Sequence, residues 1–588
     1  MHGEIDYLVF DFLAEITMSL LARARAKSPE AGYAPDFVRI IASLGSELKA
    51  RGIKVVSNGG GVNPQACAQA LSKELRALGV DLKIAVVSGD DLRHRVAEFQ
   101  EQGVREMFSG ESMPPQFLSV NAYLGAQPIA HALAGGADIV ITGRVVDSAV
   151  TLGPLVHEFG WSWTDWDKLA LGSLAGHVIE CGAQATGGLF TDWERVPGWD
   201  NMGLPIAECY ASGESFVLTK PENTGGLIIP LSVAEQILYE IGDPSAYQLP
   251  DVICDFRHLT LSQDGPERVR VSGARGMAAP THYKVSATYA DGWRLFTTLM
   301  IGGKDAVRKA KRVGDSILQR TRRLMAERGW ADYSETSIEV LGGESTYGPH
   351  SRTRETREVI LKIAAKHASR EALELLAREI APSATSMAQG ITGFAAGRAT
   401  PSPVVRLFSF LSERSGVKAS ILVEGELLHF QEVFNPSVLT PGTTSSPNHL
   451  STQVPSHLST LANAKGDAKG EAKGETQSVP LLIVACARSG DKGDMSNIGI
   501  IARSPELFAV LEQELTSERV AHYLSHVALG RVTRYTLPGI FAFNFTLENA
   551  LGGGGVVSLR YDPQGKALAQ MLLDMQVNIP ASLAKALL

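Results

Sequence analysis

The sequence predicts an α/β protein: a parallel-sheet N-terminal region with an α+β elaboration, plus a small C-terminal α+β domain of ferredoxin-like kind. Three observations lead there. Short apolar runs alternate with stretches of helical period through residues 1–213, the pattern of parallel strands covered on both faces. From residue 214 the pattern changes to strand-like segments such as THYKVSATYADGWRLFTTLMIGG, which reads as antiparallel sheet. A chain of 588 residues also exceeds what one hydrophobic core holds, so two or three domains are expected.

Taken in order, residues 7–14 (YLVFDFLA) form an apolar run broken only by Asp11, as a buried strand does. Residues 37–51 carry apolar side chains at helical spacing, and KVVSN at 54–58 is the second strand. A glycine loop, a helix through Leu78 and the strand KIAVVSG at 83–89 follow. ADIVITG at 137–143 repeats the scheme between helices at 128–134 and 148–159. Residues 214–439 form a second lobe of the same large domain, with strands in VRVSGARG, the THYK segment and SIEVLGG, and a helix at 306–328. Residues 440–479 are rich in Ser, Thr, Pro and Gly and carry three tandem copies of AKGD/E. Such a segment cannot bury enough apolar surface to offset its ordering entropy, so a flexible linker is predicted. In residues 480–588 we expect a strand at 481–488, a polar loop, a helix over much of 505–524, strands in RVTRYTLPGIFAFNFTL and GGVVSLRYD, and a helix at 567–575.

Composition excludes several classes of partner. The net charge is −8 with no offsetting basic tail or stripe, which argues against nucleic acid. No run of about 18 apolar residues is present, so no membrane span is predicted. MHGEIDYLVFDFLAE lacks the basic and apolar regions of a secretion signal. The five cysteines (Cys67, Cys181, Cys209, Cys254 and Cys486) are scattered without a CxxC pair, which fits a reduced cytoplasm and disfavours a zinc site or disulfide scaffold.

Four polar segments carry the chemistry. GHVIECGAQATGGLF at 176–190 packs His177, Glu180, Cys181 and Gln184 ahead of a glycine pair. On a helix the first three share a face through i+3 and i+4 spacing. Cys181 is then a candidate nucleophile with His177 as its base, or Glu180 a general base; the alternative is that His177 and Glu180 satisfy buried backbone while Cys181 packs. SNGGGVNPQA at 57–66 follows a strand: Asn63 is a candidate helix cap with Pro64 in the first turn, and Asn58, Gly59, Gly60, Gly61 and Asn63 are candidate anion-binding residues. It matches neither a Walker A motif nor GxGxxG, so no nucleotide phosphate site is expected. ITGRVVDSAVT at 141–151 places Arg144 and Asp147 at a strand end, where open α/β sheets hold ligands. Arg144 suits a carboxylate or phosphate. Asp147 suits a base, a helix cap, or a salt bridge to Arg144. In the C-terminal unit, ARSGDKGDMSNIGIIARS at 487–504 offers Arg488, Ser489, Asp491, Lys492, Asp494, Ser496 and Asn497 in a glycine-punctuated loop, for one ligand, one interface or a self-satisfied turn. Neither this loop nor HxxEC has metal-ligand spacing, and no metal is expected. GGGGVVSLRYD could lend a second backbone surface nearby.

NGGGVNP, ITGRVVDSA, GHVIECGAQATGG and ARSGDKGD together resemble the AtuA family of acyclic terpene utilization proteins, also catalogued as a domain of unknown function. The resemblance covers nearly the whole chain, including the ferredoxin-like C-terminal domain. It implies a bacterial cytoplasmic protein of citronellol and geraniol catabolism, a route that passes through CoA thioesters such as citronellyl-CoA and geranyl-CoA. Members of the family begin with a further strand and a glycine-rich loop ending in Gly-Asp, upstream of the segment matching residues 3–15. The leading expectation is a homo-oligomeric enzyme acting on a branched-chain acyl-CoA or its carboxylic acid by lyase- or hydratase-type chemistry. Glu180 or Asp147 would move the proton, and Arg144 or the glycine loop would hold an anionic group. Cys181 would serve as nucleophile or polar wall. No cofactor is expected beyond CoA as part of the substrate. The rival is a non-catalytic binding or scaffolding subunit of the same pathway that docks a partner through ARSGDKGD; a nucleotide-dependent enzyme lacks its fingerprint.

Overall fold

Apolar residues at alternate positions of a strand point to opposite faces of a sheet, and a strand apolar at both sets must be covered twice. The computed structural model, which describes residues 4–353, 355–394, 397–434, 475–555 and 557–587, meets that requirement. Strands Tyr7–Phe10, Lys54–Ser57, Ile139–Thr142 and Ile84–Ser88 lie side by side in that order, all parallel. Two antiparallel strands from far along the chain, Ser420–Val423 and Glu426–Leu428, extend the sheet beyond Ile84–Ser88. Val55, Ile139, Ile141 and Val86 pack with Phe37, Ile41 and Leu71 of helices Pro35–Arg51 and Pro64–Ala77 on one face. Val56, Val140, Ala85 and Val87 pack on the other, with helices Gln127–Ala134, Ala149–Phe159 and Trp166–Ile179.

The second lobe is antiparallel, as its alternation requires. Its spine is the 21-residue strand His282–Gly302. The first half pairs with Ser119–Ala122 and Ser402–Glu413, which ties the lobe to the parallel sheet. The second half pairs with Glu358–His367 and Ile391–Gly393 under helices Ala306–Glu327 and Arg370–Glu379, a core of its own.

The C-terminal unit is a four-stranded antiparallel sheet with helices on it, in the order Ala485–Lys492, Met495–Ala502, Ala542–Leu547, Val532–Leu537. Three expectations are corrected here. Residues 481–484 form one helical turn, and the strand starts at Ala485. The polar "loop" of ARSGDKGDMSN is a β-hairpin closed by Gly493 and Asp494, with Lys492 opposite Met495. Among its described residues GGVVSLRYD forms no strand; just before it, Asp494 Oδ1 accepts from Leu551 N (3.1 Å) and Gly553 N (2.8 Å), which wraps the glycines around the hairpin tip. The Asp494 carboxylate, not an added ligand, takes the Gly553 amide of that backbone surface. Thr476–Pro480, at the end of the stretch expected to be linker, pairs with Gln576–Pro580. The remainder of that linker, 440–474, lies outside the described residues. Ile501, Leu537, Ile540 and Ala542 join the core of the N-terminal sheet region, so the small unit is packed onto the large one.

Candidate functional site

The carboxyl ends of the parallel strands share one edge of the sheet, and three polar side chains leave it together. Asp11, one residue beyond its strand, accepts from Leu13 N (3.1 Å) and from Asn58 Nδ2. Asn58 Oδ1 in turn accepts from Phe12 N (2.7 Å), so Asn58 stitches two strand ends together. Arg144 is 4% exposed at its side chain; its Nη1 donates to Leu13 O (2.8 Å) and to Asp147 Oδ1 (2.7 Å). The guanidinium lies 4.1 Å from the centre of the Tyr123 ring. Asp147 forms the salt bridge and not the cap, since Ser148 takes the N-cap position of the next helix. Arg144 is spent on protein partners and positions Asp147; Asp147 keeps 34% of its side chain exposed.

The second wall is the end of helix Trp166–Ile179. Gly176 lets that helix close on the Arg144–Asp147 turn, because a Cβ there would sit 2.8 Å from Ser148 Cα. One residue on, His177 is held from both sides: Nε2 faces Ile237 O at 3.1 Å and Nδ1 faces Glu180 Oε1 at 3.1 Å. Burial opposes charge on the imidazole, but Glu180 and the Ile237 carbonyl outweigh it and raise the His177 pKa. Burial likewise raises Glu180, against the pull of His177.

That geometry corrects the Cys181 nucleophile. Both nitrogens of His177 are engaged elsewhere, and burial, with Glu180 and Glu240 nearby, drives the thiol pKa far above its usual range. A protonated thiol is a wall, not a nucleophile. Gln184 is also turned away from chemistry: its Oε1 accepts from Arg488 Nη2, a bond between the two domains.

The glycine loop is another correction. Residues 59–61 are buried against the protein's own atoms rather than open to an anion. Asn63 does not cap with its side chain; Nδ2 donates to Pro29 O (2.9 Å) and Ala31 O (2.8 Å), while Pro64 does occupy the first turn. A Cβ on Gly60 would lie 2.5 Å from both Pro64 Cβ and Thr142 O. Gly60→Ala is therefore expected to destabilise the fold by about 1–3 kcal/mol through overpacking, measured by chemical denaturation.

The C-terminal hairpin divides into anchors and one intruder. Asn497 Nδ2 donates to Leu238 O (2.6 Å) and its Oδ1 accepts from Glu240 N (3.0 Å). Asn544 Nδ2 donates to Gly242 O (2.6 Å), and Thr191 Oγ1 donates to Ala487 O (3.1 Å). Ser489 Oγ stays within the small domain, donating to Gly565 O at 2.6 Å. Arg488, Ser489 and Asn497 are at most 5% exposed, whereas Asp491, Lys492, Gly493 and Asp494 at the hairpin tip are half-buried. Asp491, with burial pushing it up to about 6, faces Lys566, which also reaches Glu240 Oε1 at 3.1 Å. Lys492 is the intruder: its Nζ lies 5.3 Å from the Tyr247 ring centre and 3.3 Å from Glu240 O, in the field of Glu15 and Asp147. Burial works against its charge, but Tyr247 and those carboxylates keep it firmly protonated.

Sequence reasoning overlooks the remaining members. Glu15 accepts from Tyr123 Oη at 2.7 Å and lies 3.9 Å from Lys284 Nζ. Burial opposes its ionisation, yet Lys284 and Arg144 bring it down to about 2. Asp11 moves the other way: burial and the neighbouring Asp147 raise it well above the usual carboxylate range. Lys284 is brought in by the long strand of the second lobe, and Tyr247 by the segment after the second domain's contact helix, Pro230–Ile237. The groups have protein on all sides, yet Glu15 keeps 33% and Lys284 28% of their side chains exposed. Together they form a partly exposed polar cluster between the strand ends and the hairpin. Among the described residues no group of three or more His, Cys, Asp or Glu is arranged to hold a metal ion, and no helix is long and apolar enough to cross a membrane.

A partly exposed cluster of acids and lysines at the carboxyl edge of a parallel sheet, beside an appended α+β domain, lies where α/β proteins place their ligands. Residues 1–423 match the family described as "Acyclic terpene utilisation family protein AtuA", and residues 479–578 match "AtuA ferredoxin-like domain". The chain belongs to the AtuA family. No curated protein and no solved structure matches it.

Proposed function

We propose that the cluster performs acid–base chemistry of lyase or hydratase type on a branched-chain acyl-CoA, or the derived carboxylic acid, in citronellol- and geraniol-type catabolism. Membership of a family tied to acyclic terpene utilisation supports the setting. The observation that carries the chemistry is the convergence of two carboxyls raised by burial, Asp11 and Glu180, with two lysines from different parts of the fold, Lys284 and Lys492. Acids and bases whose environments separate their pKa values are what proton transfer at neutral pH requires. Glu180, backed by His177, delivers or removes the proton. Lys492 supplies the fixed positive charge that holds a carboxylate or a developing enolate oxygen. Asp147, steered by Arg144, is the second proton-handling group.

The test is turnover of citronellyl-CoA, geranyl-CoA and their hydrated or carboxylated relatives, paired with thermal-shift screening of CoA esters, free terpenoid acids and nucleotides. Glu180→Gln is expected to cut turnover about 10²–10⁴-fold with an unchanged circular dichroism spectrum. A folded variant that turns over normally would overturn the assignment.

A further inference from the structure

Lys284 is the third residue of the strand His282–Gly302, and strand pairing fixes it: Tyr123 N donates to Lys284 O at 3.0 Å. Its ammonium lies over the Tyr123 ring, 4.9 Å from the ring centre. Among the described residues its one ion-pair partner is Glu15, at 3.9 Å, which is too long for a hydrogen bond. Burial, with Lys492 and Arg144 as like charges nearby, pushes it below the usual lysine range, against the pull of Glu15 and Asp147. A desolvated lysine beside other cations, still reached by water, is how proteins keep an amine neutral and reactive.

We propose that Lys284 is a nucleophilic amine that condenses with the ketone or aldehyde carbonyl of a small keto acid to form an imine. The Nζ lone pair makes the C–N bond while the C=O π pair moves to oxygen, which takes up the proton released from nitrogen. The carbinolamine then loses its hydroxyl as water, and C=N replaces C=O. Amine and carbonyl give imine and water, with no oxidant or reductant. Solvent carries these protons, since the Lys284 side chain keeps 28% of its surface exposed. Glu15 stays ionised at neutral pH and pairs with the protonated imine. Lys492 takes the keto acid's carboxylate. An imine is an electron sink for breaking a bond next to the carbonyl carbon, so this deepens the lyase reading above and rests on the same cluster. It requires neither CoA nor a thioester.

The experiment treats the full-length protein with 4-oxopentanoate and sodium borohydride at pH 7.5 and maps reduced adducts by mass spectrometry. Labelling of Lys284 is expected at least about tenfold faster than that of an exposed lysine such as Lys49, because Lys492 holds the keto acid's carboxylate beside an amine whose burial favours the neutral form. Lys284→Arg should abolish the adduct at that position and leave surface labelling unchanged. Lys492→Met should slow labelling of Lys284, since removing a like charge favours its ammonium. Labelling of Lys284 no faster than Lys49 in the unmodified protein would overturn the proposal. Fast labelling without turnover of any CoA ester would overturn the acyl-CoA reading instead.

Discussion

Arg144→Met is expected to destabilise the protein by about 3–5 kcal/mol at pH 7, the cost of stripping the partner from buried charge. The guanidinium holds Leu13 O and Asp147 directly and lowers the pKa of Glu15. Methionine fills much of the volume and keeps contact with the Tyr123 ring, but Asp147 is left unpaired and the turn at Leu13 loses its donor. The loss should shrink on acidification. Glu15 has a folded pKa of about 2, below its ordinary 4.5, so its ionisation stabilises the fold above 4.5, an effect lost as pH falls toward 2. Part of that stabilisation comes from Arg144, so the wild type loses an advantage on acidification that the variant lacks from the start. Urea denaturation at pH 7 and pH 4 measures both. A loss under about 1 kcal/mol at pH 7 would mean that water already screens these carboxylates.

Glu235→Gln is expected to act in the opposite sense at high pH. Glu235 is fully buried where helix Pro230–Ile237 meets the C-terminal sheet. Its Oε1 accepts from Thr191 N at 3.1 Å, Oε2 has no hydrogen bond, and Arg488 Nη1 is 3.9 Å away. Asp192, Arg503 and Cys486 complete the titratable and charged surroundings. Burial raises the carboxyl from 4.5 to about 7, so the folded state keeps a proton that the unfolded chain releases. Stability therefore falls as pH rises from 4.5 through 7, by on the order of 3 kcal/mol for this one group. Asp90 and Asp251, each raised to about 6 by burial, add slope over the lower part of that window. The glutamine variant should match the wild type near pH 4.5, show a flatter profile above it, and be the more stable protein at pH 8. An unchanged slope would show that Glu235 is ionised throughout, held by Arg488.

The layout of the fold was legible wherever one period dominated. Strand residues 54–57 and 139–142 are apolar on both faces, and the helices around them follow from that. The C-terminal unit was less so: ARSGDKGDMSN has the composition of a loop and the pairing of a hairpin, because Asn497, Ser496 and Asp494 bond across strands and domains rather than to their own turn. The site was half legible. Arg144, Asp147, His177 and Glu180 are near one another in sequence as well as in space. Lys284 and Glu15 give no local signal; one sits in an alternating strand and the other in the first turn of a helix, and only the antiparallel pairing of residues 119–122 with 285–288 brings them to Arg144. The glycine loop misled for a physical reason, since three glycines serve close packing as readily as a ligand.

The way the small domain is held has a consequence for tolerance to mutation. Asn497 and Asn544 grip the large domain largely through its main chain, at Leu238, Glu240, Ile241 and Gly242. Main-chain groups do not change when a side chain does. The large domain's half of this contact can vary in sequence while still offering the same carbonyls, whereas the two asparagines have no substitute of equal reach and donor count. A lineage of such proteins would be expected to drift on one side of the seam and stand still on the other, with Lys492 carried along on the side that cannot move.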